Sequence, residues 1–137
     1  MSANDWNRQV IDEFRANGGK VAQFEGRPLL LLHHKGAKTG TERVNPLVYL
    51  PLNGNFAVFG SKAGGPTNPD WYHNLRANPD TQVEVGTETV PVRARVAEGE
   101  ERDRIWEEQK RLNSNFADYE KLTTRPIPVV ILERVAS

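Results

Sequence analysis

The stretch Val44-Asn45-Pro46-Leu47-Val48-Tyr49-Leu50-Pro51-Leu52-Asn53-Gly54-Asn55-Phe56-Ala57-Val58-Phe59-Gly60 decides the architecture. Residues 44–50 alternate in polarity and carry β-branched side chains, which reads as a strand. Pro46 sits inside it. A proline donates no ladder hydrogen bond, so its presence points to an edge or a bulge. Asn53-Gly54 is the strongest hairpin signal in the chain, because a two-residue turn of this type needs left-handed backbone at both positions. It joins the first strand to a second over residues 56–60. Two strands joined this tightly must run antiparallel, which argues against a doubly wound parallel sheet.

Working outward, residues 29–34 form a short apolar run followed by Gly36 and Gly40, and at that length a buried strand is favoured over a helix. Residues 81–85 and 88–96 alternate on either side of Gly86-Thr87, a second hairpin. The final strand falls within 126–135, where Val129, Val130, Ile131 and Leu132 are apolar on both faces and predict a central position. Helices fill the gaps. Residues 5–17 place Trp6, Val10, Ile11 and Phe14 on one stripe, with Asp5 as cap and Gly18-Gly19 as stop. Asn68-Pro69 opens a helix through about Ala77. Residues 98–112 are acidic at the start and basic at the end, which suits the helix dipole. Ser114 caps a shorter helix carrying Phe116, Tyr119 and Leu122. This order predicts one α+β domain over residues 1–137, built on a small closed or split barrel that protects its strand edges. The amphipathic helix within residues 1–19 is expected to pack on the body, with cover over a ligand site or contact with a membrane as alternatives.

Composition narrows the function. The 137 residues hold 18 Lys plus Arg against 18 Asp plus Glu, which disfavours a generic nucleic-acid binder or a polybasic membrane protein. There is no cysteine, so disulfides, thiolate metal sites and cysteine nucleophiles are all excluded. No apolar run approaches the roughly 20 residues that span a bilayer. Residues 1–7 are polar and unlike a signal peptide, so a cytoplasmic location is the expectation.

The balance is not kept locally. Between Gly26 and Pro69 five bases, Arg27, Lys35, Lys38, Arg43 and Lys62, face the single acid Glu42. Three of the bases lie in or beside the glycine-bearing turns Lys35-Gly36-Ala37-Lys38-Thr39-Gly40 and Ser61-Lys62-Ala63-Gly64-Gly65. Glycine lets backbone amides approach an anion and a nearby lysine neutralises it, so these turns form a candidate phosphate or carboxylate cradle. Solvated turn lysines are the alternative. Neither turn has the P-loop spacing. His33 and His34 are adjacent on a strand and point to opposite faces, so they cannot share a metal, and no metal site is expected. Trp71 reads more readily as a core residue than as a ligand contact, whereas Asn74, one turn on, has a side chain able to bond a ligand. No nucleophile elbow surrounds Ser61. The acidic run from Glu98 to Glu108 reads as a solvated helix face.

Taken together, these segments resemble the deazaflavin-dependent nitroreductase family. The motifs are Gly36-Ala37-Lys38-Thr39-Gly40, Arg43-Val44-Asn45-Pro46-Leu47 and Gly60-Ser61-Lys62-Ala63-Gly64-Gly65. They continue with Asn68-Pro69-Asp70-Trp71-Tyr72-His73-Asn74-Leu75, Ala77-Asn78-Pro79 and Thr124-Arg125-Pro126-Ile127-Pro128-Val129. The resemblance implies a split β-barrel of the flavin-reductase and pyridoxamine-phosphate-oxidase type, with helices between strands. It implies coenzyme F-420, an 8-hydroxy-5-deazaflavin with a phosphodiester and a glutamate tail. Lys38, Arg43 and Lys62 would hold the phosphate and carboxylates. Thr39, Ser61 and amides near Ala63 would add neutral hydrogen bonds. Pro46, Val48 and Phe59 would line the ring groove, with Trp71 and Asn74 beside the coenzyme. The implied reaction is hydride transfer from the reduced coenzyme to a quinone-like or nitroaromatic acceptor. Phe116, Tyr119 and Leu122 would form the acceptor pocket, with Tyr119 positioning the acceptor or relaying a proton. The best-known nitro-drug-activating members carry tyrosines at the positions of Phe116 and Leu122. The hydroxyls missing here weaken the expectation of nitroimidazole reduction. A lipid-tailed quinone would suit an apolar mouth formed with Trp6 and Phe14, and implies peripheral membrane contact. A flavin-mononucleotide reductase on the same barrel, or a protein that carries the coenzyme without turnover, are the alternatives. Oligomeric state is not legible.

Overall fold

The alternating stretch around Pro46 folds as a strand that changes partner. A computed structural model describes residues 3–24, 28–61 and 68–135. In it, β2 (Glu42–Val48) and β3 (Leu50–Leu52) are separated only by Tyr49. Asn53 at φ 50° and Gly54 at φ 90° both take left-handed backbone and turn the chain into β4 (Asn55–Phe59). The remaining strands are β1 (Leu29–Lys35), β5 (Asp80–Val85), β6 (Glu88–Val96) and β7 (Val129–Arg134). Among the described residues they form one sheet in the order β2-β1-β5-β6-β7-β4-β3, antiparallel throughout.

That order fixes the shape. β2 and β3 stand at opposite ends of the sheet, yet a single residue connects them. Consecutive Cα atoms are only about 3.8 Å apart. The sheet must therefore curl until its two edges lie side by side, as a half-barrel. Pro46 is tolerated because β2 is an edge strand, paired only with β1 (Leu31 opposite Pro46). β7 is central, between β6 and β4, as its two-sided apolar pattern requires.

Alternation along the strands sorts side chains into an interior and an outer face. Leu30, Leu32, Phe56, Val58, Val83, Val130 and Leu132 point inward and close around Trp71 and Leu75 of α2 (Asp70–Ala77), which plugs the half-barrel. Outside, Leu29 and Leu31 meet Val10 and Phe14 of α1 (Ala3–Ala16). Phe59, Val129 and Ile131 meet Ile105 and Trp106 of α3 (Gly99–Leu112) and Phe116 of α4 (Asn115–Lys121). α1 therefore packs on the body. An ionic chain fastens it as well: Arg15 donates to Glu84 from Nε (3.0 Å) and Nη2 (2.7 Å), and His33 lies between Glu84 (2.8 Å) and Glu42 (3.0 Å).

The helix starts differ from expectation. α1 begins at Ala3, so Asp5 falls in its first turn and is not the cap. The cap of α2 is Pro69, with no side-chain hydrogen bond, because Asn68 turns its amide oxygen to Arg125 instead. Ser114 precedes α4 without a side-chain cap bond.

Candidate functional site

The turn between β1 and β2 is compact. Gly40 donates to the Gly36 carbonyl (2.8 Å), and Gly36 donates to the Thr41 carbonyl (2.9 Å). A Cβ on Gly36 would stand 2.6 Å from Thr39 Oγ1, so any larger residue there would have to displace the Thr39 side chain. Thr39 Oγ1 also accepts a long bond from the Thr41 amide (3.3 Å). Lys38, at the tip, is exposed and makes no ion pair among the described residues.

A buried polar chain holds this turn against α2. The Ala37 amide donates to Asn74 Oδ1 (2.9 Å), which leaves Asn74 Nδ2 facing His34 Nδ1 (2.9 Å). An amide nitrogen can only donate, so His34 Nδ1 accepts and carries no proton. The proton then resides on Nε2, which donates to Asn45 Oδ1 (2.6 Å). Hydrogen-bond polarity thus selects one neutral tautomer of His34. Burial pushes the His34 imidazole below its usual range, partly opposed by the bond to Asn45 and reinforced by the charge of Arg43. Both polar ends of Asn74 are spent inside the protein, so Asn74 supports the turn and does not offer itself to a ligand.

Arg43, two residues before Asn45, reaches the start of α2, with Nη1 3.8 Å from Asp70 Oδ2. Both side chains are at least half exposed, so this long pair is worth little and leaves the guanidinium able to bind elsewhere. Ser61 follows β4 and is 7% exposed. Arg125 brackets it: Nη2 donates to the Ser61 carbonyl (3.0 Å), and Nη1 to the Gly60 carbonyl (3.0 Å) and Asn68 Oδ1 (2.8 Å). The expected contacts Lys62 and Ala63 lie outside the described residues.

Pro46, Val48 and Phe59 fall where the barrel splits. Pairing of β3 with β4 runs Leu52 with Asn55 to Leu50 with Ala57. Continued, the same register would set Val48 opposite Phe59 and Pro46 opposite Ser61. Instead β2 departs to β1, with Val48 opposite Leu29. Pro46 and Val48 form one lip of that split and Phe59 and Ser61 the other. Val48 packs towards the α1 cluster, while Phe59 is covered by Trp106 and Phe116 at ring distances of 5.7 and 5.8 Å. Tyr119 packs edge-on against Phe116 (5.3 Å), and its hydroxyl accepts from Asn115 Nδ2 (3.1 Å). Leu122 is 70% exposed. Trp71 is buried in the interior cluster, as the packing alternative has it. Phe14 is buried and therefore unavailable at an apolar mouth; Trp6 is exposed beside Phe24. His33 and His34 face opposite sides of β1, and no metal-binding cluster occurs among the described residues.

Arg43 at Asp70, and Ser61 through Arg125 and Asn68, thus stand at the start of α2 beside an apolar split, with the turn of Lys38 held to Asn74 further along the helix. Residues 6–134 match the model of a family described as F420H(2)-dependent quinone reductase. The chain belongs to this family. The reductase is 38% identical over 126 residues to the F420H(2)-dependent quinone reductase Rv1261c of Mycobacterium tuberculosis, covering 88% of this chain and 85% of that protein. It superimposes on an F420-H2 dependent reductase (FDR-A) with a TM-score of 0.71 and 41% identity, over 78% of this chain and 95% of the other. A putative pyridoxamine 5'-phosphate oxidase from Listeria innocua shares the fold alone, at 14% identity and a TM-score of 0.57 over 84% of this chain and 90% of that one. The reductase is accordingly a split-barrel oxidoreductase dependent on reduced coenzyme F-420, and the flavin-mononucleotide and carrier alternatives fall away.

The sequence reading missed the two residues that hold the site's turns in place. From the sequence His34 reads as a metal-ligand candidate or as added positive charge at low pH, and Arg125 as part of a motif. Both act across long sequence separations, from His34 to Asn74 and from Arg125 to Gly60, and no local pattern reports such pairs.

Proposed function

We propose that the chain reduces a quinone with coenzyme F-420 bound across the split between β2 and β4. The observation that carries this reading is that the segments bearing Lys38, Arg43 and Ser61 are all tied to α2 or its start, beside the lips formed by Pro46, Val48 and Phe59. An acidic tail and an apolar ring need such neighbouring environments. Lys38 and Arg43 hold the phosphodiester and tail carboxylates, Arg43 through its planar fork. Thr39 and Ser61 contribute neutral hydrogen bonds. Pro46 and Val48 line the groove for the ring beside the buried Phe59 and exclude water from it, which strengthens the electrostatic interactions within. When bound, the reduced coenzyme supplies a hydride. Tyr119 holds the acceptor by its hydroxyl, beside Phe116 and the exposed Leu122. Because Phe116 and Leu122 bring no hydroxyl, nitroaromatic acceptors are bound less well than quinones. Trp6 and Leu122 supply the exposed apolar surface for peripheral contact with a membrane that holds the quinone.

Mixing the purified chain with reduced coenzyme F-420 and menadione tests the reading. Protein-dependent return of the oxidised deazaflavin absorption is expected, faster with menadione than with a nitroimidazole. Absence of saturable coenzyme uptake would overturn it.

A further inference from the structure

The segment Thr124-Arg125-Pro126-Ile127-Pro128 leads into β7 and lies against the lip of the split that carries Ser61. We infer that Arg125 is a positioning residue for the coenzyme tail, an inference that rests on the proposed function. Its guanidinium holds both described flanks of the second basic turn. Nη1 donates to the Gly60 carbonyl (3.0 Å) and to Asn68 Oδ1 (2.8 Å), and Nη2 donates to the Ser61 carbonyl (3.0 Å). The residues after β4 and the residue two before α2 thus meet at a single planar cation.

Pro128 closes the other side. The Gly60 amide donates to the Pro128 carbonyl (2.9 Å), and a Cβ on Gly60 would stand 2.6 Å from Pro128 Cγ. Residues 125–128 therefore grip Gly60 from two directions. Asn68 gives up capping α2 to join the grip. Burial lowers the Arg125 pKa, and the guanidinium stays charged.

Two consequences bear on binding. Arg125 sets where Ser61 stands relative to Arg43 and the turn of Lys38 across the split. It also engages two carbonyl oxygens whose negative dipoles would otherwise oppose an anionic ligand. Three acceptors on two chain segments match a rigid fork, and a lysine ammonium lacks that geometry. The effect falls on the tail, since the ring groove is lined by Pro46 and Val48 beside Phe59.

Arg125→Gln and Arg125→Lys separate this role from plain stability. Each full-length variant is titrated by fluorescence with coenzyme F-420 and with tail-less 8-hydroxy-5-deazariboflavin. Arg125→Gln is expected to weaken F-420 binding by about tenfold or more, the loss of charge-assisted bonds, and to change tail-less binding by less than about twofold. Arg125→Lys, which keeps the charge and loses the fork, should fall between wild type and Arg125→Gln. If Arg125→Gln does not fold, Arg125→Lys and Asn68→Ala carry the same comparison. Equal weakening of both probes, or of neither, in a wild-type background that binds F-420 overturns the role of Arg125 alone. A wild-type chain that takes up neither probe overturns the functional reading and this inference with it.

Discussion

His34 shows how one buried residue sets the shape of a binding turn. Its neutral tautomer is the only one that satisfies Asn74 and Asn45 together, and a second ring proton would set two donors against each other at Nδ1. The unfolded chain accepts a proton at the ordinary value of 6.5, whereas burial depresses the folded value. Below that point the unfolded state binds more protons, so this contribution to stability is full above pH 6.5 and is lost as pH falls through the depressed folded pKa. Urea melts at descending pH should show wild type losing stability faster than His34→Gln. The comparison cancels His33, which both proteins share. Parallel curves would refute the assignment. Lys38 gives the complementary case. It is exposed, so Lys38→Ala should leave the melting temperature unchanged while weakening coenzyme F-420 binding by about 1–3 kcal/mol. Added salt should weaken wild-type binding too, since exposed charges are screened. The opposition of His33 and His34 was readable from strand alternation. Their partners were not, because Asn74 and Glu84 lie 40 and 51 residues away.

Among the elements, α1 most needed the structure to decide between alternatives. Its stripe allowed packing, cover or membrane contact, and periodicity alone does not distinguish them. The structure buries Val10 and Phe14 almost completely against Leu29 and Leu31 and leaves Trp6 39% exposed. Phe14→Ala should therefore cost about 3–5 kcal/mol of folding stability, as large aromatic truncations in cores do. Trp6→Ala should cost less than about 1 kcal/mol. Denaturant titration of the two variants checks this, and comparable losses would place the helix differently. β2 and β3 were legible as one strand with an edge proline. The change of partner at Tyr49 was not, since alternation continues through it: Leu47 and Tyr49 face the interior while Val48 and Leu50 face outward.

Across the whole molecule, the curled sheet ties the clusters together. β1, β4 and β7 each bury one face around α2 and the other under α1 or under α3 and α4. Leu30 and Leu31 are neighbours in different clusters, as are Val130 and Ile131. Opening one cluster strips the other face of the same strands, so the chain is expected to unfold as one unit. Fluorescence of Trp71 and Trp106, in the interior and outer clusters, and far-ultraviolet circular dichroism should give coincident transitions. Separated midpoints would indicate two independent units.

Local chemistry in the chain determined the hairpin at Asn53-Gly54, the edge strand bearing Pro46, the central strand at Val129 to Leu132, the glycine-bearing basic turn and each separate motif of the family pattern. Each depends on backbone preference or on spacing within a dozen residues. Only the tertiary structure decided that the sheet's two edges meet at Tyr49, that His34 is neutral, and that Arg125 spans the flanks of the second basic turn. Those outcomes depend on which distant groups come within hydrogen-bond reach, and closure of the sheet brings them together.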